Sequence, residues 1–248
     1  MININSILSS NFNKEDYNFN NSYIVMIDVL RASSVIVTAF KNKVDSIIPV
    51  VTIEEAKKIK QTNNEFYLAG ERNSIKIDGF DFGNSPLEYI ENKIKNKRLI
   101  FTSTNGAKIF TAGTSAYKRV IGSFINFNIV LQDIFSYIYN EISNKNEINI
   151  FFVCAGTNSK YSLEDGTLAG KFIYEILKQH KEINLCDSSD ILKNNFIYNK
   201  ENLIDYLKTS KHSLYLESLG LEKDIEYCFS NLNLEILPIV KEDNIIRL

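Results

Sequence analysis

Polar side chains with catalytic potential follow several short apolar runs in this 248-residue chain. They include carboxylates, arginines, hydroxyl groups and one Asn-Gly turn. In open α/β sheets, ligands bind outside the carboxyl ends of the strands, so we expect these groups to lie together. In chain order they are Asp28, Arg31, Ser33, Ser34, Glu71, Arg72, Thr104, Asn105, Gly106 and Glu164.

The carboxylates in this set, together with Asp81, point to a hard divalent cation. Asp28, Glu71, Asp81 and Glu164 could supply oxygen ligands for Mg²⁺, which uses a few carboxylates together with water and substrate phosphate oxygens. The planar guanidinium groups of the two arginines suit phosphate, sulfonate or carboxylate groups. Carboxylates beside arginines therefore predict Mg²⁺ bridged to a small anionic substrate.

Two neighbouring segments concentrate turn-forming residues in a chain with only ten glycines and three prolines. Gly70–Asn73 carries Glu71 and Arg72, and Gly79–Pro86 carries Asp81 and Asn84. Glycine is used where a backbone turns with positive φ or approaches a ligand closely, and functional residues are common on such loops. We interpret these segments as the centre of an anion or metal site.

Most of these groups also have a structural interpretation. Asp28 could cap the helix that begins near Ser33, and the pair Glu71–Arg72 could be an ordinary surface ion pair. The Asn-Gly step within 104–106 is typical of a tight turn or a helix N-cap. Ser162 and Asp165 fit a capping box, which makes the neighbouring Glu164 the better ligand candidate.

The cysteines and histidines are not predicted to take part in catalysis. Cys154 opens a segment similar to the cysteine phosphatase loop, but Lys160 stands where that loop requires arginine, so a buried structural cysteine is predicted. No triad surrounds His180 or His212, and both are predicted to be surface groups. Two histidines and three widely spaced cysteines argue against a His-built or structural zinc centre.

Hydrophobic periodicity predicts the elements that position these groups. Strands are expected at Ile2–Leu8, Tyr23–Val29, Ser46–Val51, Glu65–Ala69, Arg98–Thr102, Lys118–Ile121, Ile148–Cys154 and Leu234–Ile239. Helices are expected near Ser33–Lys41, Ile53–Thr62, Leu87–Lys95, Gly106–Thr111, Asn126–Ile142 and Ser162–His180, with shorter helical pieces between 190 and 229. This alternation predicts a three-layer α/β/α fold with a largely parallel or mixed central sheet. We expect one α/β domain over 1–248, with a helical sub-region at 186–232.

Composition excludes several classes of protein. A formal net charge of −2 and a pI near 5.8 indicate no broad nucleic-acid or anionic-membrane surface. The chain has no apolar run of about 18 residues and no signal-peptide pattern, which predicts a cytoplasmic protein without membrane association. The expected partner is a small anionic phosphate ester, and the subunit number is left open, with a homo-oligomer among the options.

Taken together, the motif blocks resemble the 2-phosphosulfolactate phosphatase family. The blocks are Asp28–Ser34, Gly70–Asn73, Gly79–Pro86, Ser103–Gly106 and Cys154–Gly156 with Ser162–Asp165. The resemblance is strong over residues 23–170 and weaker beyond, through Ser218–Gly220 and Asp224. It implies an α/β/α fold and a Mg²⁺-dependent phosphatase that converts 2-phospho-3-sulfolactate into 3-sulfolactate and phosphate, a step in coenzyme M biosynthesis. Ser74 and Ser159 stand where the family commonly has glycine, and serine tolerates a positive φ less well.

Two mechanisms are open at this point. Either a metal-activated water attacks phosphorus, or Asp28 attacks it and forms an aspartyl phosphate. In the first route Arg31 and Arg72 would neutralise charge on the transferred group and the sulfonate. The residues expected to bind the substrate are Ser33, Ser34, Asn84, Thr104, Asn105 and Gly106. Leu30 occupies the position where aspartate-nucleophile phosphatases have a second Asp, which favours water attack. A non-catalytic anion-binding or sensory protein, and a phosphatase for another small 2-phospho acid, are the alternatives; the glycine motifs typical of nucleotide binding do not occur.

Overall fold

The computed structural model describes residues 1–142 and 147–248. Within these ranges the strands are β1 (Ile2–Ile7), β2 (Tyr23–Ile27), β3 (Ser46–Pro49), β4 (Phe66–Arg72), β5 (Ile75–Lys76), β6 (Arg98–Thr102), β7 (Lys118–Gly122), β8 (Ile148–Cys154), β9 (Ile183–Leu185), β10 (Ile239–Val240) and β11 (Ile246–Arg247). The α-helices are α1 (Ala32–Lys41), α2 (Ile53–Thr62), α3 (Glu91–Ile94), α4 (Gly106–Phe110), α5 (Phe127–Glu141), α6 (Leu163–Gln179), α7 (Asp187–Asn199), α8 (Leu203–Lys208), α9 (Lys211–Ser218) and α10 (Glu222–Phe229).

The strands form one mixed sheet in the order β5-β4-β6-β3-β11-β10-β7-β2-β8-β1-β9. One parallel set contains β4, β6 and β3, and a second contains β7, β2, β8, β1 and β9. The C-terminal hairpin β10–β11 joins them through antiparallel pairing with β7 and β3. Because three successive pairings are antiparallel, the two parallel sets run in opposite directions.

Helices cover both faces of the sheet, as the continuous apolar runs predicted. All five residues of β2 are buried, and alternate side chains enter two different clusters. Tyr23, Val25 and Ile27 pack with residues of α5 and α6, whereas Ile24 and Met26 pack with residues of α1 and α4. This two-sided burial confirms the predicted three-layer α/β fold with a mixed, mostly parallel sheet.

The C-terminal region differs from the prediction in detail. Residues 234–238 are not a strand; the strand there is only β10, and β5, β9 and β11 were not predicted. These strands are two or three residues long, too short for a hydrophobic period to emerge. The predicted return of the tail to the sheet is confirmed by the pairing of β10 and β11. Helices α7 to α10 occupy 187–229, and the number of domains stays a prediction.

None of the helices in 1–142 and 147–248 is both long enough and apolar enough to cross a membrane.

Candidate active site

A cavity of about 100 Å³ lies where the loops after β2, β4, β6 and β8 meet helix α9. Six of the predicted site residues line it: Asp28, Arg31, Glu71, Asn84, Thr104 and Asn105. Further polar residues complete the wall: Asn73, Ser74, Ser103, Thr157, Asn158, His212 and Tyr215. The lining therefore draws on both parallel sets of strands, together with a helix from the C-terminal region.

Asp28 lies at the end of β2 and is almost completely buried. Its Oδ1 accepts a hydrogen bond from the Ala32 N–H at 3.3 Å, so it caps α1 as well as facing the cavity. Gly106 packs against its other oxygen, since a Cβ added there would lie 2.5 Å from Oδ2. Gly106 therefore makes room for the carboxylate and does not itself line the cavity.

Burial makes the Asp28 carboxyl a weaker acid than usual. Removal from water raises the pKa of this carboxyl from 3.8 to about 7, because the charged form loses its hydration. The charge of His212 and the Ala32 N–H oppose the rise, while the negative charges of Glu71 and Glu164 add to it. A carboxylate in this environment gains stability from a cation or a proton.

Ser33 and Ser34, predicted to bind substrate, are buried beneath the cavity and do not line it. Ser33 Oγ accepts a hydrogen bond from the Asp28 N–H at 2.9 Å. Ser34 Oγ donates to the Val29 carbonyl at 2.8 Å. Both hydroxyl groups therefore hold the loop that carries Asp28, which corrects the predicted role.

Glu71 joins two loops of the cavity wall. Its Oε1 accepts a hydrogen bond from the Thr104 N–H at 2.7 Å, and its Oε2 accepts one from the Ser74 N–H at 2.7 Å. The Thr104 hydroxyl also donates to Oε2 at 3.2 Å. This carboxylate ties the turn after β4 to the loop after β6, and it is buried. The interpretation of Glu71 as a surface group is therefore wrong.

Two further predicted residues, Arg72 and Asp81, bond to groups away from the cavity. Arg72 donates to the carbonyls of Glu71 and Val51 and to the Thr102 hydroxyl, so its guanidinium holds neighbouring loops together. Asp81 accepts a hydrogen bond from the Leu68 N–H at 2.8 Å and lines a different, open cavity. The structure does not bring either side chain to the cavity that contains Asp28.

Glu164 pairs with His212, which lines the cavity, whereas Glu164 does not line it. Glu164 is buried, and its Oε1 lies 3.1 Å from His212 Nδ1, while Thr157 Oγ1 lies 3.3 Å from the same nitrogen. Burial alone would raise the pKa of Glu164, but the hydrogen bond and charge of His212 lower it overall. His212 lines the cavity, so its prediction as a surface group is wrong. Its position in a polar segment carried no signal of this contact.

Arg31 makes a buried ion pair with a residue far along the chain. Its Nη1 donates to Asp224 Oδ2 at 2.5 Å, and both side chains are 3% exposed. Its Nη2 donates to the Ser74 carbonyl at 2.8 Å. Asp224 belongs to α10, 193 residues from Arg31, so sequence spacing could not reveal the contact.

Asp165 and Cys154 have structural roles. Asp165 accepts hydrogen bonds from the N–H groups of Val29 and Gly156, so it joins two site loops; neither it nor Ser162 caps α6 with its side chain. The predicted capping box is therefore wrong. Cys154 is fully buried, as predicted, and burial raises the pKa of its thiol well above the usual range.

Ser74 and Ser159, which stand where the family commonly has glycine, have left-handed backbone conformations. Ser74 has a φ of 63° and Ser159 a φ of 60°. Each belongs to a loop next to the cavity, after β4 and β8 respectively. These loops therefore retain a glycine-like conformation with serine in place.

Over the described residues, no three His, Cys, Asp or Glu side chains converge closely enough to form a metal site by themselves. Asp28 and Glu71 nevertheless both line the cavity. Mg²⁺ commonly keeps several waters and binds one or two carboxylates with substrate phosphates, so such a donor set fits it. Glu164, the third predicted ligand near the site, has its Oε1 directed to His212 instead.

Comparison with known proteins finds relatives over nearly the whole chain. A family model described as 2-phosphosulpholactate phosphatase matches residues 8–243. A "Probable 2-phosphosulfolactate phosphatase" of Clostridium botulinum strain Eklund 17B is 36% identical over 248 residues, covering 99% of each chain. A protein of the same name from Caldanaerobacter subterraneus is 40% identical over 223 residues, covering 88% of this chain and 87% of its own length.

Fold, site and relatives together define an α/β phosphatase, a phosphoric monoester hydrolase. The chain belongs to the 2-phosphosulpholactate phosphatase family. The resemblance seen in the motif blocks is thereby confirmed.

Proposed function

We propose that this protein is a Mg²⁺-dependent phosphatase that hydrolyses 2-phospho-3-sulfolactate to 3-sulfolactate and phosphate. The observation that carries the proposal is the small polar cavity in which the Arg31 guanidinium and the buried Asp28 carboxylate face the same space. The names of the relatives supply the substrate. A cytoplasmic location and a place in coenzyme M biosynthesis stay predictions.

Asp28 and Glu71 are the residues that would hold Mg²⁺. The ion would neutralise charge on the phosphoryl oxygens and make the attacking water more acidic. An ionised Asp28 in a buried site is stabilised by such a cation, which agrees with the raised pKa of its carboxyl without one.

The substrate carries a phosphate, a sulfonate and a carboxylate, so it needs several donors. Arg31 supplies a fixed cationic fork, which pairs well with phosphate or sulfonate oxygens. Thr104, Asn105 and Asn158 add polar groups along the wall. His212 adds a further polar side chain to the wall, and its Nδ1 is directed to Glu164.

In the proposed reaction, a water oxygen forms a bond to phosphorus as the bond from phosphorus to the ester oxygen breaks. The attacking water gives up one proton, and the ester oxygen takes up one proton and leaves as the hydroxyl of 3-sulfolactate. Asp28 would orient the water, and Arg31 would stabilise charge on the phosphoryl group. The position two residues after Asp28 is Leu30, which offers no second acid for an aspartyl-phosphate route.

Phosphate release tests the function. The assay uses 2-phospho-3-sulfolactate and 2-phospholactate, each with Mg²⁺ or with EDTA. We expect release that requires Mg²⁺ and a higher kcat/KM for the sulfonated substrate. No release from either compound would refute the phosphatase, and equal kcat/KM values would refute the assigned substrate.

Isotope labelling tests the route. With a phosphorothioate substrate made chiral at phosphorus by oxygen isotopes, direct attack by water should invert the configuration at phosphorus. Net retention would instead indicate two displacements and identify Asp28, or another acid, as the nucleophile.

A further inference from the structure

We propose that Asp224 is a positioning residue for the reaction: it orients the Arg31 guanidinium so that its remaining N–H groups face the anionic substrate. The inference rests on the proposed phosphatase function and extends its site to helix α10. Asp224 does not line the cavity and acts through Arg31.

Arg31 brings positive charge to a cavity wall that also contains carboxylates. Among the described residues that line the cavity, it is the one arginine or lysine, whereas Asp28 and Glu71 contribute negative charge. A substrate with several anionic groups therefore depends strongly on how this guanidinium is directed. Because the guanidinium is planar and its donors have fixed directions, a rotation changes which of them reach the substrate.

Two contacts restrict that rotation. A guanidinium has five N–H donors, of which one at Nη1 bonds to Asp224 Oδ2 and one at Nη2 to the Ser74 carbonyl. These acceptors come from α10 and from the turn after β4, and they engage different nitrogens of the group. The two contacts leave three of the five donors of Arg31, which lines the cavity.

Asp224 is itself held from a second direction. The Ser85 hydroxyl donates to Asp224 Oδ1 at 2.6 Å, and Asp224 is 2% exposed. Ser85 follows Asn84, whose side chain lines the cavity and whose buried Oδ1 has no hydrogen-bond partner among the described residues. Asp224 thus connects Arg31 to the loop that presents Asn84, and both of its oxygens are used.

A double-mutant cycle tests this role. The variants are Asp224→Asn, which keeps the shape and removes the charge, and Asp224→Glu, which keeps the charge and displaces the carboxylate. Each is measured alone and together with Arg31→Ala. The readouts are kcat and KM for phosphate release, the affinity for inorganic phosphate by calorimetry, and the midpoint of thermal unfolding.

Asp133→Asn is the matched control. Like Asp224, Asp133 accepts hydrogen bonds from two side chains, here those of Tyr23 and Lys118. These two residues lie at the amino ends of β2 and β7, away from the loops that build the cavity. Its loss of charge should leave kcat/KM within about twofold of the wild type, since coupling fades for distant sites.

Both Asp224 variants should lower kcat/KM by about tenfold or more relative to the wild type. In the Arg31→Ala background, the same Asp224 substitutions should lower kcat/KM by less than about twofold relative to Arg31→Ala alone. Equal losses in the presence and absence of Arg31 would overturn the proposal, since they would indicate a structural role. A gain in phosphate affinity in Asp224→Asn would also overturn it, because the carboxylate would then act by repelling anions. If the wild type releases no phosphate from its substrate, the proposed function fails, and the phosphate affinities still decide whether Asp224 orients Arg31.

Discussion

Replacing Asp28 by asparagine should stabilise the metal-free protein while removing its activity. The side chain is 6% exposed, and burial raises the pKa of its carboxyl from 3.8 to about 7. In the unfolded chain the ordinary pKa returns, so ionisation destabilises the folded state by up to about 4 kcal/mol. Asparagine has nearly the same shape, carries no charge and can still accept the Ala32 N–H. Allowing for relaxation around the charge, we expect a gain of about 1–3 kcal/mol at pH 8.

The gain should depend on pH in a defined direction. The folded protein holds the Asp28 proton more tightly than the unfolded chain does, so stability from this group is complete below pH 3.8. It is lost as the pH rises towards about 7 and stays lost above that value. The difference between the variant and the wild type should therefore be small at pH 4.5 and largest at pH 8.

Thermal and urea unfolding in EDTA at several pH values measure this difference. A gain of 1–3 kcal/mol corresponds to about 2–12 °C in melting temperature for a chain of this size. Asp133→Asn is the control, since it removes a carboxylate that accepts hydrogen bonds from Tyr23 and Lys118 and should destabilise. Mg²⁺ should raise the melting temperature of the wild type more than that of Asp28→Asn. The reasoning fails if Asp28→Asn is no more stable than the wild type at pH 8, or if its gain does not grow between pH 5 and pH 8.

Three further substitutions test other parts of the site. Gly106→Ala should reduce kcat/KM by about tenfold or more, because the new methyl group would lie 2.5 Å from Asp28 Oδ2 and displace this carboxylate. It should also lower the midpoint of thermal unfolding, because the same methyl group would lie 2.9 Å from the Ala32 Cβ; wild-type kinetics would show that Asp28 is not confined there. His212→Asn should reduce kcat/KM by at least about tenfold, since it removes the imidazole from the cavity wall and disturbs the buried Glu164. His180→Asn, at the end of α6, serves as the control, and equal effects of the two changes would contradict the assignment. Gly70→Ala should destabilise by more than about 2 kcal/mol in urea unfolding. The reason is that φ is 144° and the new Cβ would lie 1.9 Å from the Thr102 carbonyl oxygen on the neighbouring strand; an unchanged midpoint would refute this close approach of β4 and β6.

Much of the fold could be predicted because its signals are local. The buried strand Tyr23–Ile27 is a continuous apolar run, and α6 shows a clear apolar face through Leu168, Phe172 and Ile176. Such patterns depend only on neighbours within a few residues. The hairpin β10–β11 escaped prediction because two-residue strands have no period and are defined by their pairing partners.

The same distinction explains the site residues. Asp28, Arg31, Glu71 and Thr104 were predicted because they directly follow apolar runs, and the structure brings them to one cavity. Asp81, in contrast, follows the same kind of motif but bonds to the Leu68 amide elsewhere. Local spacing identifies residues at strand ends without showing which way each loop turns.

The sequence by itself determined the class of fold, the set of loops that carry polar groups and the family of the protein, because each is encoded in short segments. Only the tertiary structure decided that His212 and Asp224 support the site, that Ser33 and Ser34 hold the Asp28 loop, and that Arg72 lies outside the cavity. The two parallel sets of strands run in opposite directions, so the meeting of their loops does not follow from strand ends alone. Contacts such as Arg31 with Asp224, 193 residues apart, depend on how the whole chain packs, and no local pattern records them.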